Sequence, residues 1–382
     1  MSDHCSPTFS RLATEMGFSC RTEGGLVAFR NPFGLENWTL PVLEVLIILG
    51  AVLTLVHAIR RLRREGDPTN LVLWLGATAY LFIIEPPLYF PAAFGIDGYV
   101  DTMFAHNVFT VDFLWGRLPL YIVAIYPFMA TIAYEIVRML GVFRRYGVLL
   151  GAICVGFVHH AFYEIFDHLG PQLKWWEWST GNSLNQPMFD SVPLSSVVVF
   201  AALWPMSLAF FVQLFVGRHV DAGRKLSAPQ LIWRTIAIGI LGSAGTGVLP
   251  IPATVLGANN ITVRGWLYAA ELVVLSAIAI PILVRQWLRL RRGEVPAYSD
   301  NVVRVYSVVY LVVLAVLWIA ALPDFLHSSH GWARNAGPVG NIWYTIACFV
   351  IGILCAAAVS GTSRSRDAAS AGTSREVAAA AG

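Results

Sequence analysis

The chain predicts an all-α, polytopic membrane protein of about nine spanning helices, and three observations carry that prediction. It is 382 residues long, 57% hydrophobic and only 13% charged, where a soluble domain carries roughly a quarter charged residues. Its mean hydropathy is +0.63. Its apolar residues fall in long runs, and about 20 such residues cover a hydrocarbon core of about 30 Å. Backbone within lipid must satisfy its own hydrogen bonds, which selects helices.

The runs are taken in order as 40–59, 71–90, 118–138, 146–166, 192–216, 231–255, 267–284, 302–322 and 342–359. Their connections alternate in charge. One set, beginning with Arg60, Arg61, Arg63 and Arg64 and ending with Arg285, Arg289, Arg291 and Arg292, holds fifteen basic residues. The other holds four, Arg117, Lys174, Arg264 and Arg334. Arginine and lysine concentrate in cytoplasmic loops. The N-terminus is therefore expected outside, and the tail with Arg364 and Arg366 inside. No basic start followed by a short apolar core precedes the first run, so that run reads as a span rather than a cleaved signal.

The expected organisation is an extramembrane segment over 1–39, a helical transmembrane domain over 40–360 and a disordered cytoplasmic tail over 361–382. The longest polar connections, 92–116 and 167–191, are rich in Trp, Phe, Asn and Pro and read as ordered caps. Cys154, Cys348 and Cys355 fall within spans and read as packing, whereas Cys5 and Cys20 can pair if exported. The net charge of +3 follows from topology; the partners expected are the lipid bilayer of the cell membrane and a lipophilic small molecule, with no nucleic acid. Nothing in the sequence specifies an oligomeric state.

Ionisable residues gather at the outer ends of the spans, where such groups are costly unless a substrate, ion or proton uses them. On the fourth span His160, Glu164 and His168 repeat at four-residue spacing, and Asp167 lies three beyond Glu164. All four share roughly one helical face. At about 1.5 Å per residue from Tyr146, His160 lies about 21 Å and Glu164 about 27 Å along the helix. His159 alone reads as structural. The second span closes on Glu85-Pro86-Pro87-Leu88-Tyr89, where proline frees carbonyls and opens a polar notch for the acid. Asp101, His106, Asn107 and Asp112 follow, and the eighth span ends at Asp324 with His327 and His330. Seven of nine histidines, His4 among them, fall at or beyond the outer edge. Glu44 could join the site and Glu271 is a secondary candidate, while Glu135 and His57 are expected to snorkel or to pair with Arg138 and Arg60. Glu85, His160, Glu164 and Asp324 are expected to converge on one cavity. Trp175, Trp176 and Trp178 read either as interfacial anchors or as an aromatic lid able to stabilise a cation.

Phe82-Ile83-Ile84-Glu85 with its following prolines and tyrosine, then Trp176-x-Trp178-x-x-Gly181, Pro187 and Asp190, resembles the membrane-embedded carotenoid hydratases. More broadly the pattern is similar to integral-membrane terpenoid cyclases, and to a spirocyclase-like membrane family of actinobacterial type. The likeness covers about a third of the chain. Asp190 stands where that family has asparagine, and nine spans exceed its usual number. The resemblance implies an isoprenoid or polyketide-like substrate entering from the bilayer and cyclised or hydrated by acid catalysis, with no cofactor required. Glu85 and Glu164 are the candidate acids, Asp167 and Asp190 the bases, and His160 a tuning residue. Tyr89, His106, Asn107, Trp175, Trp176 and Trp178 are expected to line the substrate site. Two other readings stand beside it. One is a divalent metal held by His159, His160, Glu164 and His168, with His106 or His327. The other is a proton-coupled transporter, against which no internal repeat is evident.

Overall fold

The computed structural model describes residues 5–20, 25–97, 99–295, 300–333 and 337–360. Among them nine helices are long and apolar enough to cross a membrane. After a short α1 (Pro7–Glu15) they are α2 (Thr39–Glu65), α3 (Thr69–Tyr89), α4 (Leu120–Met139), α5 (Val142–Asp167) and α6 (Ser196–Asp221). They continue as α7 (Ala228–Leu256), α8 (Ile261–Arg291), α9 (Asn301–Leu326) and α10 (Ile342–Ser360). The architecture is all-α and polytopic. His4, Arg334 and the tail 361–382 lie outside the described residues.

Most helices outrun the apolar runs that announce them, because helical hydrogen bonding continues past the hydrocarbon into arginine-rich ends. Thus α2 runs through Arg60–Arg64 and stops where Gly66 turns left-handed at φ 67°. The fifth span begins at Ser196 rather than residue 192, since Val192–Pro193 pairs instead with Met188–Phe189 as a two-residue ribbon. Two stretches of α6, Ser196–Leu203 and Gln213–Gly217, have π-helical hydrogen bonding.

Packing sorts the helices into a centre and a rim. α4 is almost wholly buried and touches α2, α3 and α5, and α5 in turn packs on α6, α8 and α10. The rim shows its apolar stripes outward, with Val45, Leu49, Val52 and Val56 on α2 and Val305, Val312 and Val316 on α9 exposed. That inverted pattern suits lipid as solvent.

One end of the bundle carries a cap built from the connections around residues 90–119 and 168–195 together with the N-terminal segment. Its strands are β1 (Val27–Phe29), β2 (Phe104–His106), β3 (Val111–Phe113), β4 (Leu118–Pro119), β5 (Trp176–Trp178), β6 (Met188–Phe189) and β7 (Val192–Pro193). They pair antiparallel in the orders β1-β3-β4, β2-β5 and β6-β7. Cys5 and Cys20 are disulfide-bonded, and α1 lies against β2. Glu44 accepts the backbone N–H of Thr110 at 3.1 Å and of Val111 at 3.3 Å. This acid therefore anchors the cap to α2 instead of joining a site.

The opposite end is the arginine-rich one. Asp67 accepts from Arg61 at 2.7 Å and Arg138 at 2.6 Å. Burial works against ionisation there, but Arg138, Thr69 and Arg61 hold its carboxyl well below the usual carboxylate range. Glu135 lies 3.5 Å from Arg138, the pairing expected. His57, expected to meet Arg60, instead sits 2.9 Å from Asp300 and 2.6 Å from the Asn70 amide, because its ring faces the start of α9.

Candidate functional site

Beneath the cap, α3, α4, α5 and α6 part around a cavity of about 40 Å³, room for a few waters. Glu85 enters from α3, Ile122, Ile125 and Tyr126 from α4, Tyr163, Phe166 and Asp167 from α5, and Phe200 from α6. The β2–β5 ribbon roofs it with Phe104, His106, Trp176 and Trp178. The alternation of a strand places Trp176 and Trp178 on the same face. Trp176 packs on Gly170, where the lack of a Cβ leaves room, since a Cβ there would come within 2.0 Å of its ring.

The polar atoms in this cavity are incompletely satisfied. The Tyr126 hydroxyl donates to Glu85 Oε1 through a short hydrogen bond, while Oε2 has no hydrogen-bond partner among the described residues. The Tyr89 hydroxyl lies near this carboxyl without completing a bond. Asp167 accepts from the Ser196 hydroxyl on Oδ2 at 2.7 Å and leaves Oδ1 without a partner. Both carboxyls are buried, Glu85 at 3% exposure and Asp167 at 0%. His106 Nδ1 meets the Tyr121 hydroxyl at 3.3 Å. Burial lowers its pKa to about 3, so the ring is neutral. His106 Nε2 and the indole N–H groups of Trp176 and Trp178 are likewise without partners among the described residues.

Two further spaces adjoin the cavity. An inner chamber of about 10 Å³ shares Ile125, Tyr126, Tyr163 and Phe200 with it and is closed by Met129, His159 and Trp204. On the outward side of α3 and α4 an apolar pocket of about 1020 Å³ opens beside Phe82, with Pro86, Tyr89, Phe90, Leu118 and Val123 in its walls. Tyr89 belongs to that wall and also packs edge-on against Phe104 and His106 of the cavity roof. It thus touches both spaces.

The expected convergence is only partly met. Glu85, Asp167, His106, Trp176 and Trp178 line one cavity, and Tyr89 borders it. His160 and Glu164 do not join them, because α10 and α6 cover a different side of α5. His160 donates through Nδ1 to the Val197 carbonyl at 2.9 Å and accepts from the Tyr344 hydroxyl on Nε2 at 2.6 Å. His168 Nδ1 accepts the Asn341 N–H at 3.1 Å. Its Nε2 faces Glu164 at 3.3 Å. Asp190 is exposed and bonded to the Asn341 amide at 2.9 Å, and Asp324, His327 and His330 are exposed. Trp175 stacks on Phe166 and donates to Thr39 at 2.9 Å, outside the cavity lining. Asn107 uses its amide on the Lys174 carbonyl and the Val108 N–H, so it clamps the cap.

The metal-ligand set fares similarly. His159 spends Nδ1 on the Ala201 carbonyl at 2.7 Å, and its ring lies toward the inner chamber while His160, Glu164 and His168 face α10. No group of three or more His, Cys, Asp or Glu among the described residues is placed to hold a metal ion. Glu271 is half-buried, and neither carboxylate oxygen has a partner among the described residues.

Sequence reasoning passed over Tyr126, Tyr163 and Ser196, which sit within apolar runs as apparent filler. A buried tyrosine hydroxyl needs a partner, and Tyr126, directly before Pro127 in a span, was the available signal. Comparison with family models, curated proteins and solved structures finds no match for this chain.

Proposed function

We propose that the protein is a membrane enzyme that protonates a lipophilic, isoprenoid-like substrate, with Glu85 as the acid. The supporting observation is the pair of buried carboxyls, Glu85 and Asp167, in the lining of a single aromatic-walled cavity, each with one oxygen lacking a partner among the described residues. Oε1 of Glu85 is occupied as an acceptor from Tyr126, so in the acid form its proton resides on Oε2. Transfer to an alkene forms a C–H bond from the π pair and leaves a cation on the neighbouring carbon. The faces of Phe104, Tyr163, Trp176 and Trp178 attract such a cation, and the Asp167 carboxyl of the same lining offers it acceptor oxygens. Ring closure with proton loss, or capture of water, ends the reaction.

The apolar pocket outside Tyr89 supplies the place for the chain of such a substrate, and Tyr89 lies between its wall and the Glu85 carboxyl. Rotation of Tyr89 would join the two spaces and admit the reactive end. The reading agrees with the resemblance to carotenoid hydratases and terpenoid cyclases at Glu85, Trp176 and Trp178, and departs from it at Asp190. Incubating membranes that carry the protein with linear polyenes such as farnesene and squalene tests it. Glu85→Gln and Asp167→Asn should leave insertion intact and lower conversion by about 10²-fold or more. Unchanged conversion by both variants removes acid catalysis.

A further inference from the structure

The inner chamber is the one part of this cavity system to which the acid step assigns nothing. Its volume, about 10 Å³, is that of one water, and a buried water typically has two to four polar partners. Three polar side chains surround it, His159, Tyr126 and Tyr163. The tautomer of His159 follows from its contacts. Nδ1 lies 2.7 Å from the Ala201 carbonyl, which can only accept, so Nδ1 carries the proton and Nε2 is a bare acceptor. His159 is 1% exposed, and its Nε2 has no hydrogen-bond partner among the described residues.

The surroundings hold this arrangement in place. Ala201 belongs to the π-helical stretch Ser196–Leu203, whose carbonyls of Val197 and Ala201 receive the Nδ1–H groups of the consecutive His160 and His159. The His159 ring stacks on Tyr163 and packs edge-on against Trp204, at centroid distances of 5.6 and 5.3 Å. A locked imidazole that lines a one-water chamber and keeps one nitrogen without a partner among the described residues is the arrangement of a base holding a water.

Resting on the proposed acid catalysis, we infer that His159 is a further catalytic residue, the base that binds one water in the inner chamber and takes its proton as that water captures the cation. The bookkeeping of atoms closes. Glu85 gives its proton to one alkene carbon, the water oxygen bonds to the other, and the water's second proton passes to His159 Nε2, leaving an alcohol. The imidazolium then protonates the Tyr126 oxygen as Tyr126 passes its own hydrogen to Glu85, which returns a proton to the carboxyl and leaves the imidazole neutral. Tyr126 lines both spaces and already donates to Glu85. His159 thereby directs the outcome toward hydration.

A map of the wild-type protein in nanodiscs, at a resolution that shows ordered water, tests the first half without any substrate. Water density within hydrogen-bond reach of His159 Nε2 is expected; an empty chamber, or a protein donor on Nε2, overturns the inference. The second half uses squalene or farnesene in D₂O and in ¹⁸O-labelled water. His159→Gln should keep deuterium exchange into the recovered polyene and lose about 10²-fold of the ¹⁸O-labelled alcohol. Equal ¹⁸O incorporation in His159→Gln and wild type overturns the role of His159 while leaving Glu85 in place. Exchange that survives Glu85→Gln instead defeats the acid step, and the water map still decides the chamber.

Discussion

Tyr126→Phe isolates the hydrogen bond that orients the Glu85 carboxyl, because it removes one oxygen and leaves the ring. Glu85 is 3% exposed and Tyr126 8% exposed, so no bulk water replaces the lost donor. Oε1 then becomes a buried acceptor without its donor. Leaving a buried acceptor without a partner costs about 1–3 kcal/mol. The carboxyl also loses the contact that fixes its orientation. If the same energy is lost from the reacting arrangement, turnover falls by about 5- to 150-fold, at about 1.4 kcal/mol per tenfold. Both quantities are measurable on one preparation, by thermal unfolding in detergent and by polyene conversion in membranes. Tyr121→Phe serves as the control, since its hydroxyl meets His106 rather than either carboxyl. A Tyr126→Phe protein of wild-type stability and wild-type turnover would refute the assignment of Tyr126 to Glu85.

Three further outcomes are expected. A cysteine at Thr180, which is exposed where neighbouring Ser179 is buried, should label from outside intact cells; labelling only after permeabilisation would reverse the topology. Asp67→Asn leaves Arg61 and Arg138 without their shared carboxylate. It should destabilise by about 3 kcal/mol, near the low end for breaking a buried ion pair, because Arg138 keeps Glu135. For His168, burial lowers the folded pKa to about 4 from the usual histidine value of about 6.5, against the opposing pull of Asp167 and Asp190. The unfolded chain therefore takes up the proton first. Stability is fully present above pH 6.5 and is lost as pH falls toward 4, by about 3 kcal/mol; a Tm that is flat over this range, or that falls equally in His168→Gln, would contradict it.

The helical framework was legible because lipid-facing residues must be apolar whatever their partners. Val45, Leu49 and Val52 announce a span without any tertiary knowledge. Glu85 was legible too, since an acid directly before Pro86 and Pro87 in an apolar run has few structural uses. The division of α5 was not. At about 100° per residue, His160, Glu164, Asp167 and His168 lie within roughly one third of the helix circumference. Whether two of them share a cavity depends on where α10 and α6 wedge in. Tyr344 draws His160 to one side and Ser196 draws Asp167 to another. Those contacts span 184 and 29 residues of sequence, and periodicity within a single helix carries no record of them. The same holds for His57, whose actual partner Asp300 is supplied by the loop before α9.

Deuterium exchange tests the central claim most directly, because it reports protonation of the substrate whatever product follows. Membranes carrying the wild-type protein, suspended in D₂O with a linear polyene, should introduce deuterium at alkene carbons. Glu85→Gln should reduce that exchange by about 10²-fold or more while inserting normally, and Glu271→Gln, whose carboxyl lies on α8 outside the cavity lining, should leave it unchanged. Exchange at the wild-type rate in Glu85→Gln would contradict the assignment of this cavity as an acid site.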